Sequence, residues 1–79
     1  MGRVRWQDHV VVDNDLHHGG PCISGTRIPV AMIVGSLADG MTHAQIRQAF
    51  PQLTDDDISA ALAYAAEALN QDLLLPLAA

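Results

Sequence analysis

Apolar residues recur along this chain with two different rhythms, and the change near Val30 divides it. Val30, Ile33, Val34, Leu37 and Ala38 follow the i, i+3, i+4, i+7, i+8 spacing of one buried helical face, predicting a helix over residues 30–39. Gly40 comes next, at the C′ position that favours a left-handed backbone. Thr42 followed by Gln45 makes a capping box, so a second helix is predicted over 42–49, stopped by Pro51. Thr54 and Asp57 repeat the device, and three aspartates suit the positive end of a third helix over 54–68. Ile58, Ala61, Leu62, Ala65 and Leu69 are its expected buried stripe.

Upstream of Val30 the pattern is extended. The run HVVVD (residues 9–13) is β-branched and ends in turn formers, so it reads as a short strand. GGP marks a turn, CI a brief extended piece, SG a second turn and TRIPV another extended stretch, with Pro29 holding Ile28 away from helical geometry. The expected plan is a single mainly α domain over residues 1–79, with an N-terminal arm over 1–8 and a β-hairpin segment over 9–30. A three-helix helix-turn-helix core of homeodomain-like or winged-helix-like type follows over 30–69, and an apolar tail over 70–79.

Composition narrows what such a domain does. Only Trp6, Phe50 and Tyr64 are aromatic, so the core must be built from small aliphatic side chains and has a thin margin. A homodimer, or a partner that completes the core, is therefore expected. One cysteine excludes an internal disulfide framework and fits a reducing cytoplasm. No signal peptide is read at the N-terminus, and no apolar run is long enough to span a membrane. The net charge is −5 with four arginines and no lysine, which suits a basic protein partner at least as well as nucleic acid.

The stretch HHGGPCISGTRIPV (residues 17–30) gathers the residues that invite a chemical reading. His17, His18 and Cys22, with His9 or His43, fall short of a zinc site because structural zinc commonly needs a cysteine pair and only one cysteine is present. Cys22 alternates with Ile23 and reads as a small buried hydrophobe, not a nucleophile. Gly19 and Gly20 precede a proline instead of a helix, so they do not form a phosphate loop. No catalytic residue, metal or cofactor is expected. Arg27 is either a structural tie to a helix terminus near Asp39 or a contact to DNA phosphate or an acidic surface.

If the second helix reads DNA, His43, Gln45, Arg47 and Gln48 form its exposed set, with Arg3, Arg5 and Arg27 as further contacts. If the third helix were the reader, Asp55, Asp56 and Asp57 would meet the phosphates and be repelled. The tail residues Leu73, Leu74, Leu75, Pro76 and Leu77 are too apolar for a solvated end and are the expected partner-binding segment, together with the acidic third helix.

The runs GGPCISGTRIPV and DGMTHAQIRQAFPQLTDDDISAALAYAAE closely resemble the domain-of-unknown-function family numbered 433. Its G-x-P-x-I-x-G-T-R-I-P-V pattern falls on Gly19, Pro21, Ile23, Gly25, Thr26, Arg27, Ile28, Pro29 and Val30. It continues through Gly40, Thr42, Ile46, Phe50, Pro51, Leu53, Thr54, Ile58, Ala61, Leu62 and Tyr64. The resemblance implies a helix-turn-helix-like fold, often dimeric. Members of this length look like VapB-type antitoxins of type II toxin–antitoxin pairs, which block a PIN-like ribonuclease toxin by protein contact and often repress their own promoter. It brings no catalytic residue. Many members carry a basic residue before the motif proline, where this chain has Gly20. The resulting expectation is an antitoxin, with a stand-alone DNA-binding regulator or a structural interaction module as alternatives.

Overall fold

The structure, a computed structural model, describes residues 4–12 and 20–72. A single 3-10 turn over Trp6–Asp8 leads into strand β1 (Val10–Val12), which pairs antiparallel with β2 (Pro21–Ile23) in the register Val10 to Ile23 and Val12 to Pro21. Three helices follow: α1 (Val30–Ala38), α2 (His43–Ala49) and α3 (Asp55–Asp72). The architecture is mainly α with a β-hairpin, as the pattern predicts.

Local chemistry explains each junction. The Ile23 carbonyl accepts the Thr26 amide at 3.0 Å and the Thr26 hydroxyl at 2.8 Å, closing a turn in which Gly25 takes φ +79°. The chain then runs back along β2, bridging Cys22 to Pro29, before α1 begins. At the far end of α1, Gly40 takes φ +94°; its amide donates to Leu37 and the Met41 amide to Ser36. That pair of bonds is a Schellman motif, and it satisfies two carbonyls the helix would leave bare.

The core takes one fully buried isoleucine from each of four elements: Ile23 of β2, Ile33 of α1, Ile46 of α2 and Ile58 of α3. Val10, Ile28, Val30, Leu53 and Ala61 complete the cluster, while Val34 and Leu37 are partly buried against it. Cys22 is buried, as expected of a small hydrophobe. Ala38, placed on the buried face of α1 by periodicity, is exposed.

Three expectations need correction. The stripe expected on α3 is displaced: Ile58 and Ala61 are buried, but Leu62 is 40% and Leu69 60% exposed, and Ala60 and Ala63 are buried in their place. Helix α3 is packed by α1, by the Trp6 turn with β1 and by α2, and Leu62 and Leu69 lie on the part of its surface that these leave uncovered. Helix α3 also runs to Asp72, into the segment expected as tail. Asn70, Gln71 and Asp72 contain neither the glycine nor the proline that would stop it. Finally, the arm expected over 1–8 is anchored at Trp6. Its ring meets Tyr64 edge to face, centroids 4.8 Å apart, and its Nε1–H donates to Glu67 Oε2 at 2.9 Å.

Candidate functional site

The polar residues gather at the corner where α2 turns into α3. In the α2 capping box, the Thr42 hydroxyl accepts the Gln45 amide at 3.1 Å and Gln45 Oε1 accepts the Thr42 amide at 2.8 Å. His43 and Arg47, four residues apart, share a helix face. That face turns to Asp55, the first residue of α3: Arg47 Nε donates to Asp55 Oδ1 at 2.9 Å, and His43 Nδ1 lies 3.5 Å from the same oxygen.

The α3 cap carries a third connection. The Thr54 hydroxyl accepts the Asp57 amide and Asp57 Oδ2 accepts the Thr54 amide, each at 3.1 Å. Asp57 Oδ1 is left for His9, whose Nδ1–H donates to it at 2.8 Å. One carboxylate therefore caps its own helix and holds the start of β1 against it.

These contacts give the sequence-nominated residues definite places. Gln45 is exposed but its carbonyl oxygen serves the cap, and Arg47 and His43 face a carboxylate. Gln48 is exposed. Arg5 pairs with Asp8, Nε to Oδ2 at 3.5 Å. Arg27 is exposed and makes no ion pair among the described residues, and the tie to Asp39 is not formed. Arg3, His17, His18, Gly19 and the segment Leu73, Leu74, Leu75, Pro76, Leu77 lie outside the described residues. His9 and His43 go to different aspartates, and no three metal-binding side chains come together among the described residues.

Two open grooves flank α3. One, of about 270 Å³, lies between the start of α2 and the middle of α3 and is lined by His43, Ser59, Leu62, Ala63 and Ala66. The other, of about 240 Å³, lies beside the hairpin against Trp6, Val12, Tyr64, Glu67 and Ala68. Small-molecule pockets are mostly about 300–1,000 Å³ and enclose their ligand, so these shallow apolar clefts suit side chains of a macromolecule better.

Residues 10–65 match the family described as protein of unknown function (DUF433). The chain belongs to that family. No curated protein and no solved structure matches it. The family match begins at β1 and ends within α3, so Trp6, Glu67 and Leu69 fall outside it. No helix among the described residues is long and apolar enough to cross a membrane.

Sequence reasoning missed the outward-facing Leu62 and Leu69, the His9–Asp57 bond and the Trp6 anchor. The i, i+4 spacing of His43 and Arg47 was a signal for a shared partner, but it does not name Asp55. The other contacts bridge 48 and 61 positions along the chain and leave no local trace.

Proposed function

We propose that this DUF433 chain is a binding protein and not an enzyme, acting as the antitoxin of a type II pair that blocks a PIN-like ribonuclease by covering it. The observation that carries the reading is the exposed apolar strip of α3, with Leu62 40% and Leu69 60% open to solvent. Large apolar side chains aligned on one helix face favour a partner surface. The apolar residues 73–77 continue from the same helix in sequence. Self-association into a homodimer and repression of its own promoter belong to this reading, as does a cytoplasmic setting.

Co-expression with the product of the adjacent small open reading frame tests it. A stable complex that suppresses ribonuclease activity is the expected result, and loss of residues 73–79 should weaken that complex. A neighbouring product with no ribonuclease activity to suppress would sink the reading.

A second reading, a DNA-binding regulator, is favoured by the exposure of Arg27 without an ion pair among the described residues. It predicts binding to the chain's own upstream DNA with a salt slope that falls by about one when Arg27 becomes alanine. Arg47→Ala should change the slope less, because Asp55 already holds that guanidinium. Failure to bind the upstream DNA at low salt removes this reading.

A further inference from the structure

We infer that residues 73–79 turn back along α3 and close the groove beside Trp6, so that the occupant of that cleft is the chain's own apolar segment. The inference concerns the free chain and goes beyond the antitoxin reading, on which it does not rest. The cleft is lined by Trp6, Val12, Tyr64, Glu67 and Ala68. Trp6 and Tyr64 are half-buried, whereas Val12 and Ala68 are exposed. Glu67, the one charged residue of the lining, already accepts the Trp6 indole N–H at 2.9 Å. Apolar area is therefore what the cleft offers an occupant.

Reach favours the segment that follows α3. Tyr64 and Ala68 precede the last helical residue, Asp72, by eight and four positions, about 12 and 6 Å along the axis. Seven residues in extended form span about 23 Å. If a reversal uses about three of them, the remainder still spans about 13 Å, enough to arrive at Tyr64. The other groove is lined on α3 from Ser59 to Ala66, thirteen to six positions before Asp72. The same remainder reaches only its near edge.

Chemistry favours it as well. The segment reads LLLPLAA and has no polar side chain. Pro76 lacks an amide hydrogen and its ring disfavours helical backbone at Leu75, so α3 does not run straight on through the segment. The chain must leave the helix axis, and its leucines gain by meeting apolar surface close to that point. Tethering places them at the cleft at roughly millimolar effective concentration, an advantage that a free occupant of the same chemistry lacks. Residues 13–19 follow Val12 directly in sequence, but they include Asp13, Asn14, Asp15, His17 and His18 and have less apolar area to bury.

Trp6 is the one tryptophan of the chain and lines the cleft, so its fluorescence reports on the occupant. The test compares acrylamide quenching of Trp6 in the full-length chain and in a chain ending at Asp72, both well below their melting temperatures. Covering one face of the indole removes about half of the area open to a quencher, so loss of the segment should raise the quenching constant about twofold. The emission should move to the red. The paired substitutions Leu75→Asp and Leu77→Asp should have the same effect with the segment's length kept.

Val12→Glu separates covering from a general loss of stability. It places a carboxylate in the cleft at a position 53% exposed, where the fold itself has little to lose. The full-length Val12→Glu chain should quench like the chain ending at Asp72, and removing residues 73–79 from it should add nothing. Equal quenching of the full-length and shortened chains overturns the inference. Shielding that survives the paired aspartate substitutions also overturns it, by giving the cleft to another segment such as residues 13–19. Shielding that disappears on dilution overturns it too, by giving the cleft to a second copy. A ribonuclease blocked by a chain whose Trp6 is unshielded removes only this inference, and a shielded Trp6 with no ribonuclease blocked removes only the antitoxin reading.

Discussion

Individual residues bear unequal shares of this fold because the core has few large side chains. Ile23, Ile33, Ile46 and Ile58 each lie wholly inside and each ties a different element to the centre. Ile46→Ala should therefore cost about 2–5 kcal/mol, enough to unfold much of a small domain, and urea denaturation measures it. Gly40 is vulnerable for another reason. A Cβ added there meets nothing within 4 Å, so Gly40→Ala should cost only the left-handed backbone penalty, about 1–2 kcal/mol, seen as a lower melting temperature. Both positions were legible in the sequence: the glycine follows the last periodic residue of α1, and Ile46 is the large apolar residue in the middle of α2. Leu62 and Leu69 were not, because helical periodicity lines up residues that share a face without saying which face is covered.

At the scale of elements, the helix ends are specified locally and their mutual placement is not. The two capping boxes, Thr42 with Gln45 and Thr54 with Asp57, are written in neighbouring residues and form as written. Thr54→Ala should destabilise the chain by about 1 kcal/mol through the lost cap. Asp57→Asn should separate the two duties of that carboxylate. An amide oxygen still accepts a hydrogen bond, so α3 keeps a partial cap, while the charged partner of His9 is lost. The expected outcome is a modest fall in melting temperature with faster amide exchange in β1 than in α2. If β1 and α2 exchange rise together, His9 does not hold the strand to the helix. The Arg47–Asp55 pair is exposed on both sides, so Arg47→Ala should change stability by less than about 1 kcal/mol.

Over the whole molecule, helix α3 is the spine. Helix α1, the Trp6 turn with β1, and α2 all pack against it. Trp6 fastens the start of the described chain to a residue 61 positions away. Trp6→Ala should consequently lower the melting temperature by several degrees, as expected for a loss of about 1–2 kcal/mol in a domain this small. The last turns of α3 should then exchange amides faster, and hydrogen exchange locates the effect. The same arrangement leaves Leu62 and Leu69 uncovered, which is why the longest helix is both the support of the core and the candidate docking face.

The amino-acid sequence by itself determined the elements and most of their ends: the run of β-branched residues in β1, the 3.6-residue rhythm of α1 and the two threonine caps are rules between residues within a few positions of each other. It also carried the G-T-R-I-P-V signature from Gly25 to Val30 that places the chain in its family. Tertiary structure decided what those rules leave open. His9 reaches Asp57, Trp6 reaches Glu67, Arg47 and His43 turn to Asp55, and Leu62 and Leu69 face outward because the elements packed on α3 leave that part of its surface uncovered. Hydrogen bonds between distant residues and the choice of covered helix face depend on how the elements stack, and only their packing in three dimensions fixes that.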